Sequence, residues 1–403
     1  MKPLSASQQA ALERPDPDRM LTQVQIWSEI NSGTGNLRGL ATTASLLTDA
    51  FSSLHGDVQL FDPAPVERVL PDGHIVDVEH GRHLVATVRP EAPIQLLLTG
   101  HMDTVFAEDH SFQQLSWLDE GVLNGPGVAD MKGGIAVMLA ALSAAETAPE
   151  FASVGYQVII NSDEETGSAS SADLIRRLAK GKLAAFTYEP SALPDGTLAG
   201  ARPGSGNFSI IVKGRSAHAG RNPHDGRNAL LAAADLALRL KALTREGLTV
   251  NPARIDGGSP NNVVPENAVL RVNLRPHSPE LEQFALAEIR ALITAIEVEH
   301  DVAIHLHGGF NRPPKPLTPE AEQLFGLVKA CGEDLGLTIG WKSTGGVCDG
   351  NNIAACGIPV VDTMGVRGGS IHSSDEYLIT ESLVERARLS ALTFLRIAEK
   401  GGL

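Results

Sequence analysis

An α/β architecture, with a mostly parallel sheet covered by helices on both faces and a small α+β domain inserted into it, follows from three observations. Continuous apolar runs of strand length, "IQLLLTG" and "YQVIIN", alternate with helical segments, "GGIAVMLAALSAA" and "SADLIRRLAK". Strands without a polar side have to be buried on both faces, and a parallel sheet between helices does this. The pattern then changes at "ARPGSGNFSIIVKG" to alternating strands and long amphipathic helices, and the first kind of signal resumes after the Pro-rich "NRPPKPLTP".

Taken in order, "MKPLSASQQAALERPDPDRM" reads as a polar amino-terminal helix without an apolar h-region, so a cytoplasmic location is expected. The run "GGIAVMLAALSAA" (133–145) is too short to span a bilayer and reads as a buried helix. After it come "YQVIIN", "SADLIRRLAK" and "AFTYEPS". The inserted segment holds the alternating strand "FSIIVKG", the amphipathic helix "GRNALLAAADLALRLKAL", the strand "AVLRVNLRP", a second helix and "VAIHLHGG". Then "AEQLFGLVKACGEDLG" and "IPVVDTMG" return to the first pattern. The expected division is therefore 1–202 with 313–403 as one discontinuous catalytic domain, and 203–312 as the insert. Two domains also suit 403 residues, more than one core usually sustains.

The formal net charge of -15 argues against nucleic acid or an anionic membrane surface as partner, because both require clustered Lys and Arg. A divalent cation fits better. Cys331, Cys348 and Cys356 are too few and too unevenly spaced for a disulfide framework or a zinc knuckle. No G-x-S-x-G elbow is present, and "SGTGNLRG" has neither the spacing nor the preceding strand of a dinucleotide site.

Five short stretches carry chemistry. In "LLLTGHMDTV" a buried strand ends at His101, and Asp103 two residues on faces the same way in extended backbone, where it can orient the imidazole. In "NGPGVADMKGG", Asp130 directly precedes a helix, as a cap or as a carboxylate between two cations. The acidic "NSDEETGS" follows a strand. Neighbouring strand residues face opposite sides, so Glu164 and Glu165 are expected to do different jobs, one ligating and one handling a proton. Glu189 ends another apolar segment, and His372 follows a Gly-rich turn in "GGSIHSSDEY". Any one of these is commonly a solvated or hydrogen-bonded polar residue. Together they offer two His and three carboxylates, a nitrogen and oxygen set suited to Zn, Co or Mn.

The order H-x-D, G-x-x-D-M-K-G-G, D-E-E-x-G-S, E-P and a late His resembles the M20 family of metallopeptidases, nearest its glutamate-carboxypeptidase-like and N-acyl amino acid deacylase branches. The likeness runs from about residue 80 to His372 and includes "GRSAHAG". It implies that His101 and Glu189 bind one metal, Glu165 and His372 the other, and that Asp130 bridges them. Glu164 would be the general base, and Asp103 the partner of His101. The peptide from Asp130 to Met131 would be cis. The insert would be a lid and homodimerisation domain, with His218 stabilising the oxyanion in the partner's site and with Asn262 and Arg275 holding substrate. Arg275 is suited to a bidentate clamp on a carboxylate.

Two positions depart from the family pattern. The lysine that glutamate-releasing members carry after E-P is absent from "SALPDGTLAG", so a glutamate preference does not follow, and Cys348 stands where Ser or Thr is usual. The resulting expectation is a hydrolase with two divalent metals, zinc or else Co or Mn, cleaving a peptide or N-acyl bond beside a free carboxylate. One alternative is a biosynthetic deacylase of the acetylornithine or succinyl-diaminopimelate type. Another is a catalytically silent metal-binding or assembly protein, which would have no need of Glu164.

Overall fold

The structure is a computed structural model that describes residues 4–403. The chain forms two compact units. The first holds the residues up to Ala64, Glu79–Ala201 and Leu317–Leu403, and the second Pro65–Val78 and Arg202–Pro316.

The first unit is built on a six-stranded sheet in the order Asp57–Phe61, His83–Val88, Val154–Asn161, Ile94–His101, Ala184–Thr187, Val360–Val361. The last four run parallel, and the two edge pairings with His83–Val88 are antiparallel. Successive side chains of a strand face opposite sides, and here both sides are apolar. Leu96 and Leu98 enter a core with Ile135 and Met138 of the helix Gly134–Ala145 and Leu392 and Leu395 of the helix Glu381–Lys400. Leu97, between them, packs with Leu174 and Ile175 of the helix Ala172–Ala179 and with Ile353. Helices therefore cover both faces, and between Leu96 and His101 the strand carries only one polar side chain, the buried Thr99.

The stretch Val128–Ala145 is long and apolar enough by composition to cross a membrane, longer than the sequence suggests, but 89% of it is buried in the fold. It is the central core helix, and its apolar character serves packing.

The second unit is a four-stranded antiparallel sheet, ordered Leu248–Gly257, Asn267–Pro276, Ser205–Lys213, Ala303–Arg312. Phe208, Ile210, Leu270 and Val272 pack on one face against Leu236 of the helix Ala229–Lys241 and Ile289 of the helix Pro279–His300. Residues 65–78, placed by the sequence in the catalytic domain, belong here instead. They form the hairpin Val66–Val69 with Ile75–Val78, whose Val69 packs on Ile211 and Val269 of the helix-free face. Arg271 Nη2 donates to Val69 O at 2.7 Å, and Asn267 Nδ2 to Asp72 O at 2.7 Å.

Candidate active site

Three adjacent parallel strands of the first unit deliver their carboxyl ends to one place. Ile94–His101 ends on His101, Val154–Asn161 leads into Asp163, Glu164 and Glu165, and Ala184–Thr187 leads to Glu189. Strand ends of an open α/β sheet are where such folds bind ligands. Asp130 enters from the distorted turn Val128–Gly133 that precedes the core helix, and His372 from the loop after Gly368–Gly369.

Asp130 lies between the two histidines. Its Oδ1 is 3.1 Å from His101 Nε2, and its Oδ2 is 3.2 Å from His372 Nε2. His372 Nε2 is also 3.2 Å from Glu165 Oε2, and His101 Nε2 is 3.7 Å from Glu189 Oε2. Ligating atoms of His101, Asp130 and Glu165 lie within 4.8 Å of one another, as do those of His101, Glu164 and Glu189. Asp130 caps nothing: the helix starts at Gly134, and the residue at its N-cap position is Gly133, with no side-chain cap. The Asp130–Met131 peptide is cis.

Asp103, fully buried, organises the centre from behind. Its Oδ2 accepts from Thr34 Oγ1 at 2.7 Å and from Glu165 N at 3.2 Å, and its Oδ1 from Glu164 N at 3.2 Å. His101 Nδ1 is 3.0 Å from the Asp103 carbonyl oxygen and 3.4 Å from Oδ1. The main-chain carbonyl is thus the nearer partner, and it fixes the ring so that Nε2 faces Asp130.

These bonds also correct the backbone expected for the acidic stretch. Glu164–Thr166 is a tight 3₁₀ turn and not extended chain. Asp103 draws both amides to one carboxylate, and Asp163 holds the far side by accepting from Ser170 N at 2.6 Å, Ser170 Oγ at 2.8 Å and Ser171 Oγ at 2.6 Å. Asp163 is a buried anchor of the turn. Asp349 adds a tie from the carboxyl-terminal part of the chain, accepting from Ser168 Oγ at 2.5 Å and Asn161 Nδ2 at 2.8 Å. Beside it, the Cys348 thiol donates to Asp362 Oδ2 at 3.3 Å.

Two buried charges were not singled out in the sequence. Glu376 accepts from the amides of Gly127 at 3.2 Å, Ala129 at 3.0 Å and Asp130 at 3.0 Å, fixing the turn that carries Asp130. Lys132 Nζ donates to Ile30 O at 3.2 Å. The only sequence signals were proximity to His372 in "IHSSDEY" and to Asp130 in "DMKGG".

Crowded acids distort ionisation here. Burial and then the charge of Asp130 push Glu165 up to about 8, with His372 opposing. Asp130 and Glu165 push His372 up to about 11. Burial works against a charged His101, but Glu189, Asp103 and Asp130 outweigh it and hold its pKa well above the ordinary range. Burial likewise opposes ionisation of Asp130, which its two histidines nonetheless hold below the usual carboxylate range. Burial and Asp130 raise Glu376 to about 7. A cluster that keeps like charges this close in a buried site has the chemistry of a cation site, and its all-nitrogen and oxygen donors fit divalent Zn, Co or Mn.

His218, Asn262 and Arg275 belong to the second unit. The exposed ring of His218 accepts at Nδ1 from Gly220 N at 3.1 Å and Arg221 N at 3.2 Å, which leaves the proton on Nε2. Its loop is braced by Ala219 N donating to Asn262 O at 2.9 Å and by a bridge between His218 and Val263. Arg275 Nε donates to Asn273 Oδ1 at 3.1 Å.

Imidazoles and carboxylates gathered at the ends of parallel strands, with one more acid alongside, define a metal-dependent hydrolase. Residues 97–396 match the description Peptidase family M20/M25/M40, and the protein belongs to this family. It is 28% identical over 370 residues to carboxypeptidase G2 of Pseudomonas sp., covering 90% of this chain and 85% of that one. It is 31% identical over 326 residues to a succinyl-diaminopimelate desuccinylase of Xanthomonas euvesicatoria, covering 73% and 81%. Its fold resembles the Bacillus subtilis YXEP protein, described as a dinuclear metal-binding M20 peptidase, with a TM-score of 0.66, 15% identity and coverage of 95% and 98%. The protein is accordingly a metal-dependent hydrolase acting on amide or peptide bonds.

Proposed function

We propose that the protein uses two divalent metal ions, zinc or else cobalt or manganese, to cleave a peptide or N-acyl amide bond next to a free carboxylate. The observation that carries this reading is the placement of Asp130, one oxygen toward His101 and the other toward His372. His101 and Glu189 would hold one ion, His372 and Glu165 the second, and Asp130 both. When bound, such a pair polarises the scissile carbonyl and lowers the pKa of water.

The remaining work falls to the chain. Glu164 takes the proton of the attacking water and passes it to the leaving amine. Its amide is held by Asp103, which keeps it beside the ligands. His218, with its proton on Nε2, donates to the oxyanion. Arg275, with Asn262, holds the substrate carboxylate. Exposed Leu231 and Leu238, two turns apart on the helix Ala229–Lys241, support a homodimer through the second unit. None of the three cysteines is in a disulfide, which favours a cytoplasmic location.

The relative that cleaves succinyl-diaminopimelate supports a second reading, a small-molecule deacylase. Zinc- and cobalt-loaded protein screened against N-acyl amino acids, acyl-diaminopimelate and dipeptides separates the two. In the same assays Glu164→Gln should retain its metals and lose nearly all hydrolysis. Full turnover by that variant would remove Glu164 as the base.

A further inference from the structure

The helix-free face of the second unit's sheet carries a row of asparagines. Asn251, Asn273 and Asn207 stand opposite one another on three neighbouring strands. They face away from the core that holds Phe208, Val272 and Leu274, beyond the part covered by the hairpin. Asn273 is tied on both ends of its amide. Its Nδ2 lies 2.8 Å from Asn207 Oδ1, 3.2 Å from Gly206 O and 3.2 Å from Ser205 Oγ. Its Oδ1 accepts from Arg275 Nε at 3.1 Å.

The direction of the amide is set by chemistry. The Gly206 carbonyl can only accept, so the nitrogen has to face it, and the oxygen is left for Arg275, which can only donate. Arg275 is two residues along the same strand and on the same face. Gripping it at Nε restricts a long side chain before any ligand arrives. A guanidinium whose orientation is set before the ligand arrives suits a site that binds a carboxylate in a fixed geometry.

We propose that Asn273 is a positioning residue that pre-sets Arg275 for the carboxylate of the substrate, so that selectivity for acid over neutral substrates depends on it. This rests on the role given to Arg275 under the proposed function.

The test uses zinc-loaded full-length protein, a panel of N-benzoyl amino acids (Gly, Ala, Leu, Glu) and the matching α-carboxamides. Loss of a hydrogen bond to a charged group predicts that Asn273→Leu raises KM for the acids about tenfold and leaves kcat and the carboxamide kcat/KM near parental values. Asn273→Asp, which keeps an acceptor for Nε, should recover most of the KM. In an Arg275→Ala background, Asn273→Leu should add little, since the two act as one unit. An equal effect on acids and carboxamides, or a full additive effect in that background, would overturn the inference. If Arg275→Ala raises KM and Asn273→Leu does not, only the inference fails. If Arg275→Ala leaves KM unmoved, the clamp role fails and the inference with it.

Discussion

Replacing Asp103 by asparagine probes the organisation of the centre with almost no change in shape. An amide substitutes one donating nitrogen for an accepting oxygen. Placed at Oδ1, that nitrogen would face Glu164 N at 3.2 Å and the His101 ring at 3.4 Å. Placed at Oδ2, it would face the Thr34 hydroxyl, which can rotate to accept, and Glu165 N at 3.2 Å. The second arrangement is the cheaper, and it leaves one buried N–H without an acceptor, a loss of about 1 to 3 kcal/mol. The ring of His101 also loses a neighbouring carboxylate charge, and changes of this kind around a ligating histidine weaken metal binding by about 10- to 100-fold. Urea unfolding in the presence of a chelator reads the first effect, and competition for zinc with a chromophoric chelator reads the second. A variant of Asp103→Asn that folds and binds zinc like the parent would refute the role given to this carboxylate.

Other consequences can be checked alongside. His218→Ala should lower kcat by about 10²- to 10³-fold, the usual effect of removing one oxyanion donor, with metal content unchanged on elemental analysis. A Cβ on Gly134 would sit 1.9 Å from Tyr188 O, the carbonyl just before Glu189. Gly134→Ala should therefore destabilise the fold by about 1 to 3 kcal/mol and weaken zinc binding, and a parental melting temperature with parental affinity would contradict this. Burial lowers the pKa of His83 below its ordinary 6.5 despite the charge of Asp163. The unfolded chain then binds a proton that the folded chain refuses, so this contribution is complete above 6.5 and is lost as the pH falls below it. Urea midpoints of metal-free protein should drop over that window, and His83→Gln should flatten the drop.

The sheet and the ionisable residues at its carboxyl end were legible because strands buried on both faces carry almost only apolar side chains and no charge until they end. His101 after "LLLTG" and Glu189 after "AFTY" stand out for that reason. Glu164 and Glu165 were found with the wrong backbone in mind, since their turn depends on Asp103, whose distance in sequence hides the contact. Glu376 was missed because a single acid after His372 gives no sign that three amides converge on it. The hairpin 65–78 was misassigned for a similar reason. The buried apolar contact of Val69 with Ile211 and Val269 joins segments far apart in the chain, and periodicity reports only what is local.

The central claim is that two metal ions held around Asp130 are required for amide hydrolysis. Chelator-stripped protein titrated with zinc, while hydrolysis of an N-acyl amino acid found in the screen is followed, tests it most directly. We expect no turnover without metal and a plateau at two equivalents per chain. Full turnover in the stripped protein, or a plateau at one equivalent, would contradict it.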